Sequence, residues 1–283
     1  MPSPAGRPCE QPAAIIGARR CTDARLNNAR LIHLVAHRGN AREYPENTLP
    51  AFASALQLGV RFLELDVQLS ADGVPVVIHD HELRRTTGRS GSVFDLRAEQ
   101  LAQFDAGEPE RFGDRFRGTR IPLLTDVLAL LEGRPEVTLF VEIKRESLVR
   151  FGHDQVVSRL IRTLKPARAQ CVVISFDLAA VHRARQLGGL SIGWVLSDYD
   201  SHSRLKYEAL QPEFLFVDHE QLPPTGALWR GPWRWVVYEV ESLPLALSLA
   251  ARGADYIETM WVQEMSEAMH NLQDTARLPR QDA

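Results

Sequence analysis

The chain's 283 residues suit two average domains or one eight-fold α/β barrel, and an apolar fraction of 45% supplies a large core. A formal net charge of -3, from 33 basic and 36 acidic residues, lacks the basic excess of a nucleic-acid-binding face. No apolar run approaches the ~20 residues of a membrane span, and Cys9, Cys21 and Cys171 have neither disulfide-framework nor zinc-finger spacing, so the expected setting is cytoplasmic.

In chain order, residues 1–30 read as a disordered, Arg-rich leader. Ala13 to Ile16 is too short for a secretory core, and a transit peptide is the alternative reading. Leu31 to Ala36 reads as a buried strand that delivers His37-Arg38-Gly39 to a loop. Thr48 is placed to cap a helix through Phe52 and Leu56 that Gly59 stops. A second strand, Val60 to Leu69, carries Glu64 and Asp66 on one face because strand side chains alternate. After the Asp72-Gly73 turn a third strand, Val74 to Ile78, can return as a hairpin and bring His79-Asp80 to the same end. From His81 to Arg120 the periodicity is weak, which marks an insertion.

Strand and helix then alternate. Helices are expected at Leu124 to Glu132, His153 to Leu164, Leu178 to Leu187 and Leu243 to Ala251. Strands are expected at Val137 to Ile143, Cys171 to Ser175, Ser191 to Leu196, Phe214 to Val217, Trp235 to Val240 and Asp255 to Glu258, with a tail from Asn271. This alternation predicts a (β/α)8 barrel of residues 31–270, the hairpin strand being an extension and residues 81–120 an insertion after the second barrel strand.

Glu142 and Lys144 share a face at the end of another β-branched run, so Glu64, Asp66 and Glu142 should meet at one mouth. Three carboxylates repel unless a cation lies between them, and an all-oxygen set suits Mg²⁺ or Ca²⁺; solvated carboxylates paired with arginines are the alternative. His37 and His79 end strands beside the cluster and form a candidate acid/base pair. The other histidines, His33, His81, His153, His182, His202, His219 and His270, read as core or surface residues. Arg38 can fork onto phosphate or pair with Glu46 or Asp80, and Lys144, beside a carboxylate, reads as a phosphate contact. Glu46 can join the metal or shape the loop behind it.

The ordered series His37-Arg38-Gly39, Pro45-Glu46-Asn47-Thr48, Glu64 with Asp66, Asp72-Gly73, His79-Asp80, Arg85-Thr86-Thr87, Ile121-Pro122 and Glu142 with Lys144 resembles the glycerophosphodiester phosphodiesterase family. The resemblance is close from Leu31 to about Lys144 and looser beyond. It implies a barrel of the triosephosphate-isomerase type, one Mg²⁺ or Ca²⁺ held by Glu64, Asp66 and Glu142, acid/base work by His37 and His79, and phosphate contacts from Arg38 and Lys144. The implied reaction is hydrolysis of a small-molecule glycerophosphodiester to glycerol 3-phosphate and an alcohol. Ser175-Phe176 also fits the family, with Phe176 lining the pocket or packing beneath it, whereas Tyr238-Glu239 and Thr259-Met260-Trp261 depart from it at the mouth. Two other readings stand beside this one. A phospholipase D-like enzyme would act on lysophospholipids at the same site, although Phe112 and Phe116 sit among many charges for a lid. A non-catalytic barrel would have lost a histidine or carboxylate, and none of the set is missing.

Overall fold

The computed structural model describes residues 32–277, with side chains to residue 272. The expected leader, and the end of the expected tail, lie outside the described residues. Strand β1 is His33–Ala36, helix α1 Leu49–Gln57 and strand β2 Phe62–Leu69. α1 turns Ala51, Phe52 and Ala55 inward, and its chain reverses at Gly59, whose φ of 80° favours glycine. Thr48 occupies the cap position, but its hydroxyl donates to the carbonyl of Pro45 at 2.6 Å and no side-chain cap bond forms. It therefore closes the Pro45–Thr48 turn instead of capping the helix.

β3, Pro75–Val77, returns antiparallel along β2, with Val77 opposite Val67, and Ile78 donates its N–H to the carbonyl of Asp66. The hairpin thus brings His79 back towards the end of β2. The expected insertion carries short helices α2 (Arg84–Thr87), α3 (Ala98–Leu101) and α4 (Pro109–Phe112). They are held by a small core of Val76, Ile78, Leu83, Val93, Leu101 and Ile121, so weak periodicity marked compact irregular structure.

The remaining elements are α5 (Leu124–Ala129), β4 (Thr138–Ile143), α6 (Arg145–Phe151), α7 (His153–Leu164), β5 (Cys171–Ser175), α8 (Leu178–Gly188), β6 (Ser191–Val195), α9 (Ser201–Leu210), β7 (Phe214–Asp218), β8 (Arg234–Tyr238), α10 (Leu243–Arg252), β9 (Tyr256–Thr259) and α11 (Val262–Arg277). Eight strands pair in parallel in the order β1, β2, β4, β5, β6, β7, β8, β9, and β9 pairs with β1 to close the barrel; β3 is its antiparallel extension.

Side chains alternate across this closed sheet. One set, including Val35, Phe140, Val172, Phe216, Val236 and Tyr256, fills the barrel interior, with Phe140 meeting Phe214 and Phe216 edge-on at 5.0 and 5.2 Å. The opposite set, such as Leu63, Leu65, Val141 and Val173, packs beneath the helices. Each buried Phe or Leu contributes roughly 1.5–3 kcal/mol. With its lower part filled, the barrel can receive a ligand only at the C-terminal ends of its strands.

The structure departs from the sequence expectation, or from a regular barrel, at four places. Helix α6 follows directly from Lys144, and α9 fills the gap between β6 and β7, where Ser201-His202-Ser203 starts a weak apolar stripe. The β7–β8 connection, where a regular (β/α)8 barrel would carry a helix although none was expected at those residues, holds only a short 3-10 turn, His219–Gln221. Finally, Asn271, the expected start of the tail, lies within α11, which continues to Arg277.

Candidate active site

The C-terminal mouth receives His37 and Arg38 from β1, Glu64 and Asp66 from β2, His79 from β3, and Glu142 and Lys144 from β4. Parallel register sets Asp66 beside Glu142, one strand across. Oxygens of Glu64, Asp66 and Glu142 all lie within 4.8 Å of one another. That spacing fits a hard cation, because oxygens on opposite sides of Ca²⁺, at about 2.4 Å each, stand about 4.8 Å apart. A second observation agrees: Glu64 Oε1 is buried and has no hydrogen-bond partner, although buried carboxylate oxygens are normally satisfied. The donor set and its unpartnered oxygen fit one divalent cation.

The cationic residues are committed to carboxylates. Arg38 reaches Glu46 Oε1 and Asp66 Oδ2, both at 3.1 Å, and its backbone N–H donates to Glu64 Oε2. Of the two pairings expected for it, Glu46 is present, while Asp80 is held by Arg85 at 2.6 Å. Lys144 Nζ lies 3.1 Å from Glu142 Oε1 and 3.3 Å from Asp66 Oδ1. Burial would raise the Asp66 carboxyl, but Arg38 and Lys144 overcome it and hold that carboxyl well below the usual range. Burial instead dominates at Glu142, which is pushed up to about 7, with Asp66 adding to the rise and Lys144 opposing it. Glu64 rises too, through burial and the neighbouring Asp66, Glu258 and Glu142 charges.

The two histidines differ. His37 is buried, and that burial, reinforced by Arg38, lowers its proton affinity well below the ordinary imidazole value. His79 is partly exposed, and its Nδ1 lies 2.6 Å from Asp80 Oδ1, which Arg85 braces from the other side.

Glu46 does not join the carboxylate cluster. Arg85 holds its two oxygens at 2.8 and 2.7 Å, and its backbone N–H donates to Glu108 Oε1 at 2.5 Å, tying the insertion to the mouth. Phe176 packs at the edge of the interior cluster beneath the guanidinium of Arg145, which lies 5.1 Å from its ring centre.

Sequence reasoning overlooked three contributors. Asn47, at φ 57°, donates to Asp66 Oδ2 at 2.8 Å and accepts the Asp66 N–H at 3.2 Å. Asn tolerates that left-handed backbone better than most residues, and with Arg38 and Glu239 it forms a group of strained positions around the mouth. Arg85 was read only as part of a motif. Glu258, at the end of β9, is 4% exposed and lies 3.6 Å from His37. Its signal was a carboxylate in the otherwise apolar Tyr256-Ile257-Glu258, the same pattern that exposed Glu64 and Glu142.

Residues 37–224 match the model of the glycerophosphoryl diester phosphodiesterase family. The chain belongs to that family. It is similar to a glycerophosphodiester phosphodiesterase of Caldanaerobacter subterraneus, 41% identical over 132 residues that make up 47% of this chain and 52% of the relative. It is also similar to human glycerophosphodiester phosphodiesterase 1, 29% identical across 66% of this chain and 56% of the relative. The chain spans about half the length of these relatives. Among solved structures, an Oleispira antarctica phosphodiesterase in complex with the product sn-glycerol-3-phosphate superposes with a TM-score of 0.74 at 25% identity, covering 84% of this chain and 96% of that one. A glycerophosphodiester phosphodiesterase from Agrobacterium tumefaciens matches with a TM-score of 0.67 and 26% identity, over 84% of this chain and 100% of the other. No helix among the described residues is long and apolar enough to cross a membrane.

Proposed function

We propose that this chain hydrolyses a glycerophosphodiester to glycerol 3-phosphate and an alcohol. The observation that carries this reading is the convergence of Glu64, Asp66 and Glu142 beside His37, Arg38 and Lys144 at a single barrel mouth. The family membership and the product named in the Oleispira antarctica complex support it. Glu64, Asp66 and Glu142 would hold Mg²⁺ or Ca²⁺, which when bound polarises the phosphoryl group. Arg38 and Lys144, each anchored on carboxylates, present cationic edges for phosphate oxygens.

The proton roles divide by environment. His37 is unprotonated near neutral pH and suits the base that takes a proton from the nucleophile, either water or a neighbouring glycerol hydroxyl. His79, with Asp80 against Nδ1, is oriented to present Nε2 and to carry a proton to the leaving alcohol. The proposed location is the cytoplasm, in keeping with the free, buried thiol of Cys171.

A panel of glycerophosphocholine, glycerophosphoethanolamine and glycerophosphoinositol, with lysophosphatidylcholine as competitor, tests the reading. Chelator-sensitive release of glycerol 3-phosphate from the deacylated substrates is expected. Formation of lysophosphatidate and choline from lysophosphatidylcholine, with no turnover of the deacylated substrates, would transfer the site to lysophospholipid chemistry. His37→Ala and His79→Ala should each lower turnover about 100-fold or more while the protein still melts cooperatively. Wild-type turnover in both would remove the histidines from the mechanism.

A further inference from the structure

We propose that Glu258 holds a second divalent cation, shared through Glu64 and lying beside His37, across the mouth from Asp66 and Glu142. The proposal deepens the reading above and rests on the same acidic mouth.

Three side chains from adjacent strands define the position. In the parallel register Glu258 of β9 stands beside Val35 of β1, so it reaches the mouth next to His37. One ligand atom from each of His37, Glu64 and Glu258 lies within 4.8 Å of the others, and all three side chains are buried. Glu64 belongs both to this group and to the group with Asp66 and Glu142. A carboxylate common to two oxygen-rich groups is how two-metal phosphoryl-transfer sites keep their ions about 3.5–4 Å apart.

The state of the polar atoms points to a ligand. Glu258 Oε2 and Glu64 Oε1 are both buried without a hydrogen-bond partner, and so is His37 Nδ1. The residues concerned are 4%, 1% and 7% exposed. Neither Arg38 nor Lys144 relieves them, since Arg38 is spent on Glu46 and Asp66, and Lys144 on Asp66 and Glu142. Among the described residues no Arg or Lys side chain pairs with Glu258. Its nearest basic group is His37 Nε2 at 3.6 Å, and Glu239 adds a further negative charge 3.7 Å from the other nitrogen of that ring. Two buried carboxylate oxygens without a partner need a positive charge beside them, because a buried charge is tolerated only when it is paired. A divalent ion meets that need. Two carboxylates form a hard oxygen set that accepts Mn²⁺ readily, and His37 stands beside it, free to act as the base.

Equilibrium dialysis of the full chain against Mn²⁺ at pH 8, with electron paramagnetic resonance of the bound ion, tests the proposal without reference to substrate. The wild type should hold two Mn²⁺ per chain. Glu258→Gln, which keeps the shape and removes the charge, should hold one, and Glu142→Gln should keep the ion at Glu64 and Glu258. A single Mn²⁺ in the wild type, or an unchanged count in Glu258→Gln, overturns the proposal. The wild-type count decides the matter even if a variant fails to fold. One ion per chain together with chelator-sensitive release of glycerol 3-phosphate would refute this second position and leave the proposed function standing.

Discussion

Stripped of divalent ions, the protein should lose stability between pH 5 and pH 8 because of Glu142. Its side chain is 12% exposed and its carboxyl titrates at about 7, against an ordinary 4.5 in the unfolded chain. The folded form therefore binds this proton more tightly. The stabilisation is complete below pH 4.5, declines as the pH rises, and is gone above 7. At 1.36 kcal/mol per pH unit the difference is about 3 kcal/mol, or roughly 6–12 °C in melting temperature for a domain of this size. Asp66, Glu46 and Asp80 do not blur the window, because their arginine partners hold them below the ordinary range and they remain charged at pH 5. The assay is thermal melting followed by circular dichroism at pH 5 and pH 8, in chelator and in Mg²⁺ or Ca²⁺, for the wild type and Glu142→Gln. The chelated wild type should melt lower at pH 8, added metal should recover the loss at pH 8 and do little at pH 5, and Glu142→Gln should show a smaller loss, the remainder belonging to Glu64 and Glu258, which burial raises in the same direction. A chelated wild type that melts no lower at pH 8, or a variant whose profile superposes on it, would refute the reasoning.

Asn47→Ala removes both bonds to Asp66 and leaves a Cβ-bearing residue at φ 57°, so it should cost roughly 2–4 kcal/mol in urea unfolding. Asn47→Gly should recover about 1 kcal/mol of that, and equal losses would show that backbone strain plays no part. Glu108→Ala strips the partner from the buried N–H of Glu46 and releases Arg111, costing about 1–3 kcal/mol. Limited proteolysis should then cut first within residues 81–120, and unchanged protection there would exclude the role of Glu108 in fastening the insertion.

Much of the barrel was legible because buried parallel strands are short apolar runs between helices, and the period of each is local information. His153–Leu164 and Cys171–Ser175 were bounded to the residue for that reason. Helix α9 escaped because its stripe is thin, with Leu205 exposed and Tyr207 carrying its burial. The site followed the same logic: Glu64, Asp66 and Glu142 stood out as charges inside β-branched runs, whereas Glu258 sat in an equally apolar strand whose single carboxylate went unread.

From the linear chain alone one could obtain the strand and helix periods, the alternation that places Glu64 and Asp66 on one face, and the kinds of donor available. Closure of β9 onto β1 decided the rest. It set Glu258 against His37 and left two buried carboxylates without a cation, while the pairing of β1 with β2 and the loop between them gave Arg38 to Glu46 and Asp66 and not to Asp80. The placement of Glu258 depends on the distance between His37 and Glu258, more than 200 positions apart, and no local pattern encodes it.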